Sequence, residues 1–162
     1  MNQGKIFLLL LLLLATTSCN RKMAISKDEA NLRKQLIGQW RNLTLHIDVM
    51  TANNTNKNVV WESNEANWEE HQKIKPIHTF FNNDNTFYSE YYDLNDSLIY
   101  HPNGKWTLKG NALTFYYEKP TADTLYFTVH IKDDVATFEG MLDWDNDGRK
   151  DDKYVGTQRK QK

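Results

Sequence analysis

The chain contains very little cysteine, proline or glycine. Its 162 residues include one cysteine, three prolines and seven glycines. With a single cysteine, no disulfide can form within the chain. We find no internal repeat at a solenoid or propeller period and no low-complexity tract beyond one leucine run. The formal net charge is −1, so no global field favours nucleic acid or an anionic membrane surface as a partner.

Aromatic residues, by contrast, are abundant. They make up 12% of the chain, although its mean hydropathy is −0.72. This combination is typical of a sheet protein with many polar turns and a compact aromatic interior. The length allows one domain with a substantial core once the N-terminus is set aside.

The first 18 residues have the layout of a secretory signal peptide. Lys5 precedes an apolar run from Ile6 to Ala15, and small residues follow, ending at Ser18. The run is about half the length that a membrane-spanning helix needs. Ser18 followed by Cys19 resembles the lipobox of bacterial lipoproteins. That resemblance implies a thiol of Cys19 that is lipidated, becomes the mature N-terminus and inserts into a lipid membrane.

The residues after Cys19 bear on localisation. Asn20-Arg21-Lys22 contains no aspartate directly after the cysteine, and no acidic run follows. The resemblance to bacterial lipoproteins therefore implies an anchor in the outer membrane that faces the periplasm. Residues 19–26 would be the lipidated cysteine and its tether. The alternative is a secreted protein with one unpaired thiol beside its signal peptide.

A short helix is predicted at the start of the folded domain. Ser26 is followed three residues later by Glu29, which is the pattern of a capping box. The spacing of apolar residues then predicts a helix over 28–36. Gly38 ends it, and a first strand begins at Trp40.

Most of the remaining chain alternates between apolar and polar residues. The clearest case is a hairpin over 105–118, in which Gly110 supplies a residue that tolerates positive φ. On the first strand, we expect Leu43, Leu45, Ile47 and Val49 on one face, and Asn42, Thr44, His46 and Asp48 on the other. Further strands are predicted at 58–62, 75–81, 86–93, 97–101, 105–109, 112–118, 123–132, 135–143 and 153–159. Residues 27–162 are thus an all-β domain of 8–10 antiparallel strands, a number that suggests a closed barrel.

Three short motifs resemble those of lipocalins. They are Gly38-Gln39-Trp40 after a helix, the turn Asn82-Asn83-Asp84-Asn85-Thr86-Phe87, and the hairpin from Gly104 to Leu113. The pattern is similar to the lipocalin-like domains of small bacterial envelope lipoproteins and covers roughly residues 36–159. It implies an up-and-down barrel with a tryptophan closing its base. These motifs are structural, so they imply a fold more strongly than an activity.

The barrel interior is the first candidate site. The expected core comprises Trp106, Leu108, Leu113, Phe115, Tyr117, Leu125, Phe127, Val129 and Ile131. A barrel of this size is either filled by side chains or holds one small ligand. Trp40, Trp106, Phe115 and Phe127 are the candidate ligand-binding residues. On the opposite face we expect Tyr88, Tyr92, Tyr116 and Tyr126, either as cross-strand packing or as a platform for a partner.

The second candidate site is an aspartate-rich loop. Five aspartates fall within ten residues, with Gly148 at the sixth position. The first half matches an EF-hand calcium loop, and the whole resembles the loops of thrombospondin type 3 repeats. The position of the bidentate glutamate is held by Tyr154. The candidate calcium ligands are Asp143, Asp145, Asp147, Arg149 through its carbonyl, Asp151 and Asp152. The alternative is an acidic turn that needs no ion.

Three functions are compatible with these patterns. The first is a lipid-anchored envelope protein whose barrel holds a small apolar ligand, with a structural calcium ion. The second is an interaction lipoprotein with a filled barrel, which docks a protein or glycan through exposed aromatic residues. An enzyme is the third and is not expected, because no nucleophile motif, phosphate loop or dinucleotide fingerprint is present.

Overall fold

The computed structural model describes residues 26–162, which form one closed antiparallel barrel with short helices. The helices are α1 (Lys27–Leu36) and α2 (Trp68–Gln72), with a 3-10 turn at Ala52–Asn54. The strands are β1 (Gly38–Val49), β2 (Val59–Ser63), β3 (His78–Phe81), β4 (Thr86–Tyr92), β5 (Leu98–Tyr100), β6 (Asn103–Lys109), β7 (Ala112–Lys119), β8 (Asp123–Lys132), β9 (Val135–Leu142) and β10 (Asp152–Lys160). The predicted signal peptide, Cys19 and the tether up to residue 25 lie outside the described residues.

Eight of the ten described strands close the barrel. Neighbours follow the order β1-β3-β4-β6-β7-β8-β9-β10, and β10 pairs with β1. Each strand lies beside the next in sequence, apart from β2 and β5, which pair outside this ring with β1 and β4. The predicted lipocalin-like, all-β barrel is therefore confirmed. No helix in the described part of the chain is long and apolar enough to span a bilayer.

Helix α1 covers one end of the barrel. The Ser26 hydroxyl accepts a hydrogen bond from the Glu29 amide at 3.1 Å, as the capping prediction requires. The Glu29 carboxylate does not turn back to Ser26, however. It accepts from the Gly110 amide at 2.7 Å and so fixes the helix to the β6–β7 turn. The Arg33 guanidinium lies 4.5 Å from the Trp106 ring centre, which adds a cation–π contact.

A bulge in β1 changes which side chains point inward. Asn42 pairs with Gln158 but Thr44 pairs with Thr157, so Leu43 is an extra residue in β1. Asn42 was predicted on the outer face and is instead buried, at 4% exposure. The prediction was wrong because strict alternation does not hold across a bulge.

The interior holds two apolar clusters. The larger contains Leu36, Trp40, Phe81, Phe87, Trp106, Leu113, Phe115, Val129, Ala136 and Phe138. The smaller lies at the other end of the barrel and contains Leu45, Ile47, Val49, Ala52 and Trp68 of α2. Tyr154 packs against both clusters, so the core is continuous from one end to the other.

Candidate functional site

The aspartate loop joins β9 to β10 at the end of the barrel opposite α1. Left-handed backbone at Asn146 and Gly148 (φ 59° and 92°) gives the tight turn that the sequence pattern predicts. Inside the loop, carboxylates accept hydrogen bonds from backbone amides. Asp143 accepts from Gly148 at 3.1 Å, and Asp147 accepts from Arg149 at 2.9 Å.

Three of the six predicted calcium ligands come together. Asp143, Asp145 and Asp152 place carboxylate oxygens within 4.8 Å of one another. Asp147 and Asp151 are not in this group, and Arg149 is exposed. Within the described residues, Asp143 Oδ1, Asp147 Oδ2 and Asp151 Oδ1 are buried atoms without a hydrogen-bond partner. The donor set consists of hard carboxylate oxygens, which suits calcium.

Asp152 connects the loop to a second turn. It is fully buried, and its Oδ1 accepts from the Met50 amide at 2.9 Å while its Oδ2 accepts from the Trp144 amide at 2.6 Å. Met50 belongs to the β1–β2 turn, about a hundred residues earlier. The carboxylate thereby holds together two turns at the same end of the barrel. Lys150 of the same loop pairs instead with the Asp123 carboxylate at the start of β8, at 3.4 Å.

Beside the loop lies an exposed aromatic cleft. It is lined by Trp61 of β2 and Trp144 of the loop, together with Val59, Asp145 and others, and it measures about 320 Å³. The side chain of Trp61 is 49% exposed and that of Trp144 is 36% exposed. Exposed aromatic side chains that share a cleft are typical of a contact surface. Sequence reasoning missed this cleft because its two walls are some eighty residues apart.

Of the four predicted ligand-binding residues, two line a cavity in the barrel interior and two do not. Phe115 and Phe127 line a cavity of about 100 Å³. Trp40 and Trp106 are fully buried in the core under α1, and their indole N–H groups donate to Leu36 O at 2.7 Å and Thr86 O at 3.0 Å. These two tryptophans are structural in this arrangement and do not line the cavity.

The four tyrosines predicted on the outer face lie on that face. Tyr116 and Tyr126 are 44% and 64% exposed, and Tyr88 and Tyr92 are half-buried on the outer face. Tyr88 stacks on Phe80 with the ring centres 4.4 Å apart, which is cross-strand packing. Tyr92 donates a hydrogen bond to Glu90 at 3.2 Å.

Glu90 belongs to an outer groove that also gathers titratable residues. His78 lies directly across from Glu90 in the β3–β4 pair, and Arg41 and Lys75 also line the groove. Partial burial lowers the pKa of His78. Lys75 is already paired with Asp96, and Glu90 is already hydrogen-bonded to Tyr92. Four of the groove's polar side chains are thus already paired with each other.

Comparison with family models and with curated proteins finds no match for this chain.

Proposed function

We propose that this chain is a lipid-anchored interaction protein of the bacterial envelope, in which a largely filled barrel presents a docking surface for another protein. The docking surface consists of Val59, Val60, Trp61 and Trp144. The observation that supports it best is the exposed apolar edge of β2. The lipid anchor at Cys19 and the outer-membrane location rest on the sequence pattern alone.

The size of the interior cavity favours this function over a barrel that holds an apolar ligand. Sites for drug-sized molecules measure about 300–1,000 Å³. The interior cavity measures about 100 Å³, because aromatic rings occupy most of the barrel. A small apolar ligand stays a prediction for this chain, but the geometry offers it little room.

The edge of β2 is suited to pairing with another chain. One side of β2 pairs with β1, and no strand of the described residues pairs with the other side. His71 of α2 contacts the Glu62 carbonyl oxygen at 2.9 Å, which covers the end of the strand. Val59, Val60 and Trp61 are left exposed. Proteins usually protect such edges with charge or proline, and an apolar open edge is a template for an added strand.

A photo-crosslinking experiment in bacterial cells tests the docking surface. A photoreactive amino acid at position 60 of the full, anchored chain should give one discrete protein adduct. The same residue at position 126 is the matched control, since Tyr126 is exposed on the outer wall and outside the docking surface. Adding Trp61→Lys should reduce the adduct at position 60 at least tenfold.

Other outcomes of the crosslinking are equally decisive. Equal adducts at positions 60 and 126, or none at either, would contradict a docking surface at β2. An adduct that consists of carbohydrate would shift the proposal to a glycan partner.

We further propose that the aspartate loop binds calcium and thereby orders the docking surface. Three clustered carboxylates repel one another unless a cation neutralises them. Asp143, Asp145 and Asp152 would provide oxygen ligands, and the ion would supply charge neutralisation. Trp144 lies between two of these residues and donates its amide to the third, so an ordered loop also fixes this wall of the cleft.

Calcium should raise the thermal stability of the protein. At ten times the dissociation constant, binding adds about 1.4 kcal/mol to the free energy of unfolding, which raises Tm by about 4 °C. Calorimetry in calcium and in chelator measures this shift. Asp145→Asn should abolish it, while Asp134→Asn, a change in a remote turn, should retain it. A shift that persists in Asp145→Asn would place the ion elsewhere.

A further inference from the structure

The small cavity inside the barrel has polar walls. All eleven of its lining residues are uncharged. Three phenylalanines and Ile77 form one part of the wall, and residues with amide or hydroxyl groups form the rest. The cavity is therefore not of the purely apolar kind that stays dry.

Two side-chain amides in the wall present unused acceptors. Asn42 and Gln158 face each other across the β1–β10 pair, so their amides lie side by side. Within the described residues, Asn42 Oδ1 and Gln158 Oε1 are both buried and accept no hydrogen bond. A buried carbonyl oxygen without a donor is destabilising. Both residues line the cavity, so an occupant of the cavity could donate hydrogen bonds to these two oxygens.

Three tyrosines, each with a hydroxyl group that can donate a hydrogen bond, also line this cavity: Tyr91, Tyr117 and Tyr154. Burial raises the pKa of Tyr91 to about 12. Burial, together with the neighbouring Tyr91, also raises the pKa of Tyr117 and of Tyr154. All three hydroxyls are therefore protonated at neutral pH. Gly156 leaves room for one of them, since a Cβ at that position would lie 2.3 Å from the Tyr154 oxygen.

We propose that this cavity binds a small neutral molecule that carries an N–H₂ group, such as a primary carboxamide or a urea. Its N–H groups would donate to Asn42 and Gln158, and its carbonyl oxygen would accept from a tyrosine hydroxyl. The uncharged lining disfavours an ion, which would lose its hydration without gaining a counter-charge. An apolar occupant would leave both amide oxygens without a donor.

The volume sets the size of the occupant. A cavity of about 150 Å³ holds benzene, which has six non-hydrogen atoms. By proportion, this cavity holds a molecule of about four such atoms, which is the size of acetamide or urea. The interior site is independent of the edge of β2, so a failed docking experiment leaves this proposal intact.

Titration of the full chain with acetamide and urea tests the proposal. Backbone amide NMR shifts of β1 and β10 should saturate with a Kd on the order of 1 mM, within the affinity limit for four-atom ligands. Acetone is the matched probe, because it has the same number of non-hydrogen atoms and the same carbonyl but no N–H group. It should bind at least tenfold more weakly.

Variants locate the site. Gln158→Met keeps the side-chain length and removes the amide, and it should weaken acetamide binding at least tenfold. Gln35→Met, on the exposed face of α1, should leave binding unchanged. If acetone binds as tightly as acetamide, the proposal is wrong. This comparison uses the unmodified protein, so it does not depend on whether a variant folds. Absence of binding by either amide at about a hundred times the expected Kd would show that the cavity holds water only.

Discussion

Trp40→Ala is expected to destabilise the protein by about 3–5 kcal/mol, which is the usual cost of deleting a buried tryptophan. Trp40 is fully buried in the larger apolar cluster. Its indole donates to the Leu36 carbonyl at 2.7 Å, and Lys160 of β10 lies 5.3 Å from its ring centre. The side chain thus joins α1 to the seam where the last strand closes on the first. Urea denaturation measures the change.

Two control variants separate the contributions of Trp40. Trp40→Phe keeps a ring in the core but removes the hydrogen bond to Leu36, and should cost about 1–2 kcal/mol beyond the lost area. Trp61→Ala removes an exposed indole and should change stability by less than about 0.5 kcal/mol. Equal losses in Trp40→Ala and Trp61→Ala would contradict the role assigned to Trp40.

Asp152→Ala is expected to cost about 2–4 kcal/mol even in the presence of chelator. The carboxylate accepts from the Met50 and Trp144 amides, and its removal leaves two backbone donors without partners. Both hydrogen bonds are partly buried, and the loss of such a bond to a charged acceptor costs about 1–3 kcal/mol. Chemical denaturation with chelator isolates this hydrogen-bonding contribution from any contribution of calcium.

The comparison with Asp145→Asn distinguishes calcium binding by the loop from the hydrogen bonding of Asp152. Asp145→Asn should be destabilising only when calcium is present, whereas Asp152→Ala should be destabilising in both conditions and more so with calcium. Glu139→Ala, an exposed carboxylate on β9, should be neutral to within about 0.5 kcal/mol. If Asp152→Ala were neutral in chelator, the hydrogen bonds from Met50 and Trp144 to Asp152 would not be stabilising the two turns.

Local features of the fold were predictable because local chemistry determines them. Ser26 caps α1, and Gly110 adopts φ of 60° at the tip of the β6–β7 hairpin. Alternation placed Phe115 and Phe127 inside and Tyr126 outside, since a paired strand with one buried face keeps a period of two. None of these assignments depends on knowing which strands are neighbours.

Features that depend on distant pairing were not predictable. The extra residue at Leu43 carries no glycine or proline signal, and it is visible only in the register between β1 and β10. That bulge turns Asn42 inward, beside Gln158. Tyr154 lies on the inner side of β10, two residues after Asp152. Its position next to Tyr91 of β4 cannot be predicted from the alternation within β10 alone.

In the aspartate loop, too, the local feature was predictable and the long-range contact was not. The spacing of Asp143, Asp145 and Gly148 predicted a turn that gathers carboxylates, and the gathered group includes both aspartates. The sequence assigned Asp152 only to metal binding. Its hydrogen bond to Met50 was not foreseeable, because it links residues on opposite sides of the barrel seam.

If Cys19 is lipidated as proposed, the two differently closed ends would give the barrel a direction relative to the bilayer. Helix α1, the first described element after the proposed tether, closes one end, whereas the aspartate loop and the β1–β2 turn lie at the other. The eight residues of β9 span about 26 Å, or about 20 Å of height after strand tilt. With Cys19 in the membrane, β2 and Trp144 would then lie above the lipid headgroups and face the aqueous space. A partner protein would reach them there without displacing lipid.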